Sequence, residues 1–227
     1  MTPTVVFVGA DKGGVGKTML SRILLDYLKD KGARPTVYDS EGALNRFYGY
    51  ARPVDITFTG DQLKIFDGIQ AAGLTVVDMR AGSLSQILRT MRETGRLDKS
   101  DAGKERLIVL HVLGSSKQSM DEIVDVNAQL AEGGEHILVE NHADKDGSFF
   151  KWDEKTRSDF FRLIKPELQI EIPHLDTLAA EDVDRLSLSF TRYIANSEAE
   201  KHSDHLSRIV KHWRDQVYPE FDKIRLA

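Results

Sequence analysis

The chain has 227 residues, 41% hydrophobic and 30% charged, with 36 acidic against 31 basic side chains and a formal net charge of −5. That is ordinary globular composition, which excludes disorder and collagen-like repetition, and its acidic balance excludes a coat of nucleic acid over the whole surface. There is no cysteine, so disulfides, thiolate metal sites and cysteine nucleophiles are excluded together.

In chain order, "TVVFVGA" (4–10) is a valine-rich apolar run of the kind expected in a buried parallel strand. A glycine loop follows, and "TMLSRILLDYLKDKG" then places Leu20, Ile23, Leu24, Tyr27 and Leu28 on one helical face, with Gly32 as its stop. "PTVYDS" (35–40) reads as a second strand, and 43–60 as weaker structure. "DQLKIFDGIQAAG" is expected to be helical and "LTVVDM" (74–79) a buried strand. "SLSQILRTMRETGRL" (83–97) is predicted as a helix, 93–106 as a charged surface loop and "RLIVLHVLG" (106–114) as a strand. "SMDEIVDVNAQLAEGG" (119–134) reads as a helix, "HILVEN" (136–141) as a strand, "SDFFRLI" (158–164) as a helix and "ELQIEIP" (167–173) as the last strand. The tail from 176 to 225 reads as mostly helical.

Strands alternating with helices imply an α/β fold, a mainly parallel sheet sandwiched by helices in three layers. No repeat or linker interrupts 1–227, so one domain with a helical C-terminal segment is expected. No apolar run reaches the roughly 18–20 residues needed to cross a bilayer. The start "MTPTVVFVGADKGG" lacks the basic leader and cleavage site of a signal peptide, so a cytoplasmic location is expected.

"GADKGGVGKTML" (9–20) follows a strand and opens a helix, the context in which a glycine-rich loop cradles phosphate. Gly13, Gly14 and Gly16 let the backbone turn its N–H groups toward an anion, and the helix start adds its positive end. Lys17 would reach the β- and γ-phosphates and Thr18 would ligate Mg²⁺. The usual pattern G-x-x-x-x-G-K-[ST] has glycine where this chain has Asp11, and Lys12 opens the glycine run instead.

The stretch "KGGVGKT" resembles the deviant Walker A motif of the ParA/MinD family of partition and positioning ATPases. The resemblance implies a P-loop NTPase that binds ATP or ADP with Mg²⁺ through Asp11, Lys12, Gly13, Gly14, Val15, Gly16, Lys17, Thr18 and Met19. It implies that Lys12 crosses to the nucleotide of a second subunit, giving a homodimer with ATP, and that an unidentified protein partner stimulates hydrolysis. It extends to "VYDSEG", where Asp39 would join the magnesium shell and Glu41 would stand in place of the aspartate that orients water. The extra methylene of Glu41 moves the carboxylate by about a bond length, so slow turnover is expected. The alternative reading of both acids is as exposed loop residues.

"TVVDMRAG" resembles the family's Walker B and switch II segment, so Asp78 would hold Mg²⁺ through water and Gly82 would sense the γ-phosphate. Arg80 departs from the family's pattern and can serve phosphate, a partner or solvent. "LVENHADKDG" places Asn141 where family members read adenine, and "IEIPHLDTLAAEDVD" resembles the loop whose backbone, here near Pro173 and His174, lines the base pocket. Asn141 is also a common turn former. The resemblance covers residues 4 to about 180 and suits the small plasmid-borne or TraL-like members, implying work in DNA partition, conjugation or intracellular positioning. The loop is also similar to the G-T-D-T-x-V-G-K-T loop of dethiobiotin synthetases, which keeps an ATP-dependent small-molecule ligase as an alternative. A nucleotide-binding regulatory module with little hydrolysis is the third reading.

Three arginines, Arg89, Arg92 and Arg96, fall at helical spacing with Lys99 beyond, a stripe for nonspecific DNA or a solvated helix face. Lys151, Lys155, Arg157, Arg162 and Lys165 form a second basic cluster interleaved with acids. Leu206, Ile209, Val210, Trp213 and Val217 make an apolar stripe read as core docking rather than membrane-surface binding, because its polar face mixes signs. His202, His205 and His212 have no tight carboxylate partners and read as surface residues.

Overall fold

The computed structural model describes residues 2–10, 12–97, 104–113, 117–130, 133–143, 153–164, 168–195 and 203–226. Strand β1 (Thr4–Gly9) leads through the glycine loop into α1 (Lys17–Asp30), then β2 (Thr36–Asp39) and a short 3-10 turn at Leu44–Arg46. There follow β3 (Arg52–Pro53), α2 (Thr59–Ala71), β4 (Leu74–Asp78), α3 (Leu84–Glu93), β5 (Arg106–Leu113), α4 (Lys117–Leu130) and β6 (Glu135–Asn141). The chain closes with α5 (Glu154–Ile164), β7 (Leu168–Ile172), α6 (Thr177–Leu186), α7 (Phe190–Ala195) and α8 (Asp204–Asp222).

The strands form one seven-stranded sheet in the order β3-β2-β4-β1-β5-β6-β7. Every pairing is parallel. Strand residues alternate between two cores, as a sheet covered on both faces requires. Val6, Val8, Val76, Leu110 and Val139 pack with α1, α6, α7 and α8 through Leu24, Val183, Tyr193 and Trp213. Phe7, Val77 and Val109 face α2, α3 and α4 through Phe66, Leu88 and Val126. Leu113 and Leu138 meet Ile123 and Phe160 in a smaller cluster toward α5.

Strand β3 was not anticipated within the weakly patterned 43–60. It is two exposed residues long and contains a proline, which lacks the N–H a central strand needs and is tolerated at an edge. The helix expected over 83–97 stops at Glu93, where Gly95 takes φ 75° and turns the chain. The helix expected over 119–134 runs from Lys117 to Leu130.

Because all strands are parallel, their carboxyl ends share one edge. The chain leaves β1 for β2 on one side and places β5, β6 and β7 on the other, so β1 stands at the switch point where such sheets bind ligands.

Candidate functional site

Four sequence-predicted residues or segments sit at that edge. Gly9 ends β1 at the loop, Asp39 ends β2, Asp78 ends β4 and Asn141 ends β6. Asp39 and Asp78 are register partners across β2 and β4.

The loop has the backbone that its glycines allow. Gly14 and Gly16 adopt φ 78° and 88°, the left-handed region that costs an L side chain about 1–2 kcal/mol. Gly16 is the N-cap of α1 and offers no side-chain cap, and the first turn carries no acid. By contrast, α6 is capped by Asp176, which accepts from the Leu178 and Ala179 N–H groups. An uncapped helix start presents orphan N–H groups and the positive end of its dipole, which is an anion site. Lys17 is buried, 4% exposed, and its Nζ donates to the Lys12 carbonyl at 3.2 Å. Lys12 itself is exposed, Val15 and Met19 are half-buried, and Asp11 lies outside the described residues.

Asp78 is fully buried. Thr18 Oγ1 donates to its Oδ2 at 3.1 Å and Ser21 Oγ to its Oδ1 at 2.7 Å. Burial pushes the Asp78 carboxyl up to about 7, against the two hydroxyl bonds, with the charges of Asp39 and Glu41 adding to the rise. A cation at this place would reverse that balance. Among the described residues no group of three or more His, Cys, Asp or Glu converges on a metal position. The donors present are the Thr18 hydroxyl and carboxylates, all hard oxygens. They fit a Mg²⁺ ion that takes few protein ligands and completes its shell with phosphate and water.

Asp39, 1% exposed, organises its own loop. Its Oδ1 accepts from the Glu41 and Gly42 N–H groups at 3.0 and 2.8 Å, and its Oδ2 from the Leu44 N–H at 2.7 Å. Three of roughly four acceptor positions are therefore taken by backbone. Glu41 is exposed at the tip of that loop. Ser40 ties the loop to the segment after β4: its N–H and hydroxyl both donate to the Asp78 carbonyl at 3.0 Å, and its hydroxyl accepts from the Arg80 N–H at 2.5 Å. The Arg80 side chain is exposed, and Gly82 takes φ 77°.

Asn141 is buried and reaches the phosphate loop. Its Nδ2 donates to the Val15 carbonyl at 2.7 Å, and its Oδ1 is buried without a hydrogen-bond partner. The Pro173 carbonyl accepts from Trp213 Nε1 at 2.7 Å, and His174 Nδ1 lies 3.2 Å from the Ala143 carbonyl.

Sequence reasoning missed Ser21 and Ser40. Ser21 lies three residues after Thr18, on the same helix face, which is the signal that could have found it. No spacing rule marks Ser40.

The arginine stripe loses one member to the structure. Arg96 lies beyond α3, where Nη1 pairs with Glu105 at 2.8 Å and the guanidinium stacks 4.9 Å from the Phe66 ring. Arg92 Nη2 donates to the Gln129 carbonyl at 2.6 Å. Arg96 is half-buried, while Arg89 and Arg92 are both exposed on α3. Lys99, Lys151 and Lys165 fall outside the described residues, as does the Arg157 side chain; Lys155 is exposed and Arg162 pairs with Asp159 at 2.9 Å. In the tail, Val210, Trp213 and Val217 are buried in the core while Ile209 is exposed. His202 lies outside the described residues, and His205 and His212 are exposed. No described helix is long and apolar enough to cross a membrane.

No family model matches the chain, and no curated protein matches it in sequence. Solved structures do match. A nucleotide-binding protein from Archaeoglobus fulgidus, in complex with ADP and with cobalt, is 16% identical with a TM-score of 0.53, covering 96% of this chain and 91% of its own. MinD cell division protein from Aquifex aeolicus is 15% identical with a TM-score of 0.46, covering 92% and 95%. The MinC:MinD complex from the same organism gives 14%, 0.46, 92% and 94%. The likeness in fold rests on the first of these. What it shows is the fold, a parallel seven-stranded sheet flanked by helices, here with a glycine loop at its switch point.

Proposed function

We propose that the chain is an ATP-binding and hydrolysing switch that dimerises around ATP and Mg²⁺ and acts in DNA partition, conjugation or intracellular positioning. The observation that carries this reading is the left-handed Gly14–Gly16 loop, opening an uncapped helix with a buried Lys17 and a Thr18–Asp78 bond. The ADP held by the Archaeoglobus neighbour supports the same ligand class.

In this reading the loop N–H groups from Gly13 to Met19 and Lys17 bind the phosphates, while Lys12 serves the partner subunit's nucleotide. Thr18, Asp78 and the free acceptor of Asp39 would hold Mg²⁺, which supplies charge neutralisation at the phosphates. Glu41 orients water, and Arg80 and Gly82 report the γ-phosphate through Ser40 to the Glu41 loop. Asn141 reads the base with its unpartnered Oδ1, beside the Pro173–His174 backbone. A two-state element of this kind gives ATP-dependent output because the γ-phosphate adds contacts only in the dimer.

Light scattering with Mg²⁺ and either ATP or ADP tests it. A rise from 25.6 kDa to twice that mass with ATP alone is expected. A monomer in both conditions would remove the dimer switch and turn attention to small-molecule substrates.

A further inference from the structure

Beside the candidate site lies a polar cluster that the proposed chemistry does not use. Arg22 of α1, 5% exposed, places its guanidinium 3.6 Å over the Phe47 ring and 4.6 Å from that of Phe190. Its Nη1 pairs with Asp184 Oδ1 at 2.6 Å, and the Tyr48 hydroxyl donates to its carbonyl at 2.7 Å. Arg46 stands 5.4 Å from the same Phe47 ring. Its Nε donates to Ser187 Oγ at 2.7 Å and its Nη2 to the Asp184 carbonyl. Two arginines therefore converge on the carboxyl end of α6, where Ser187 takes φ 53° and carbonyls present the negative end of the helix dipole.

The segment so gripped, Leu44–Tyr48, is the far end of the loop that begins at Asp39. The near end is fixed by the sheet and by the Asp39 carboxylate, which takes the N–H groups of Glu41, Gly42 and Leu44. Leu44 is fully buried. Glu41 thus sits on a short span anchored at both ends, and Arg46 is the outer anchor that reaches across to α6. Helix α6 starts directly after the Pro173–Asp176 segment, so the anchor is set on a rod about 15 Å long whose other end meets the candidate base loop.

We propose that Arg46 is a positioning residue for hydrolysis: by bracing Phe47 and the Leu44–Arg46 turn against the carboxyl end of α6, it fixes the loop that carries Glu41. This rests on the ATPase reading above. Arg46 is exposed, so its loss leaves the core intact, whereas loss of buried Arg22 would not. Its fork makes two bonds that a lysine ammonium cannot reproduce together.

The test compares wild type, Arg46→Ala and Arg46→Lys by amide hydrogen exchange and by steady-state ATP turnover. Exchange is read at Glu41, Gly42 and Leu44, whose N–H groups the Asp39 carboxylate protects. For Arg46→Ala the expected result is exchange faster by about tenfold at these amides and kcat lower by about tenfold, with ATP affinity within about twofold. Arg46→Lys falls between. Unchanged amides, with or without a change in kcat, overturn the proposal, and so does an equal loss in kcat and affinity. No turnover by the wild-type chain would fail the ATPase reading, and the hold of Arg46 on the loop would then be decided by exchange alone.

Discussion

Asn141 and Gly16 occupy each other's space. The Asn141 amide donates to the Val15 carbonyl, and a Cβ built on Gly16 would lie 2.1 Å from Asn141 Nδ2. The loop therefore reaches its left-handed turn because position 16 has no side chain, and β6 locks the turn from above. Gly16→Ala combines the left-handed penalty with expulsion of the amide, so a loss of about 2 kcal/mol or more is expected. Asn141→Ala removes only the bond, at about 1 kcal/mol. Thermal melts should rank the two in that order. Titration with a fluorescent ATP analogue should show at least about tenfold weaker binding for Gly16→Ala, equivalent to about 1.4 kcal/mol.

The site was legible where chemistry and topology coincide. Asp39, Asp78 and Asn141 each close an apolar run, and parallel strands carry such residues to one edge. It was illegible where a side chain's partner is distant in sequence. Ser40 gave no pattern, yet it joins the segments after β2 and β4. Arg22 falls among the apolar residues of α1, and only the fold brings Phe47 and Asp184 to it. Arg96 was misplaced because helical spacing was carried through Gly95, whose positive φ ends that register. Strand β3 escaped notice because two residues with a proline carry no period.

The arginines after β4 separate into structural and free groups. The Arg96–Glu105 pair is mostly buried, with side chains 15% and 12% exposed, so removing one partner strands the other. Arg96→Ala should cost about 2–3 kcal/mol in chemical denaturation. Arg89→Ala should change stability by less than about 0.5 kcal/mol. DNA binding in low salt, measured by anisotropy, should fall in Arg89→Ala if this face carries it. Retention of full binding there would move any DNA contact off α3.

A buried histidine contributes a stability that mild acid removes. His136 Nδ1 lies 3.1 Å from Asn127 Oδ1 and its Nε2 3.3 Å from His111 Nδ1. Burial, reinforced by His111, lowers its pKa from 6.5 to about 3. The unfolded chain thus binds the proton more readily. Stability contributed here is complete above pH 6.5 and is lost as pH falls from there toward 3. At about 1.36 kcal/mol per pH unit, the loss by pH 5 is about 2 kcal/mol. Asp78, raised to about 7, acts in the opposite sense over this range. The readout is therefore the difference in denaturation stability between wild type and His136→Gln, which should fall by about 2 kcal/mol from pH 7 to pH 5. An unchanged difference would take His136 out of the acid response.

The two loop lysines should separate binding from assembly. Lys17 is buried, and its ammonium donates to the backbone carbonyl of Lys12, a contact that truncating the Lys12 side chain leaves in place. Lys17→Ala removes the cation nearest the helix start, so nucleotide affinity should fall by about 100-fold or more, as loss of a charge-assisted contact of about 3 kcal/mol implies. Lys12 is exposed. Lys12→Ala should therefore bind nucleotide within about twofold of wild type yet fail to double in mass with ATP. Parallel titration and light scattering on both variants decide it. A Lys12→Ala protein that still dimerises with ATP would take the exposed lysine out of the interface and leave Lys17 to serve its own nucleotide alone.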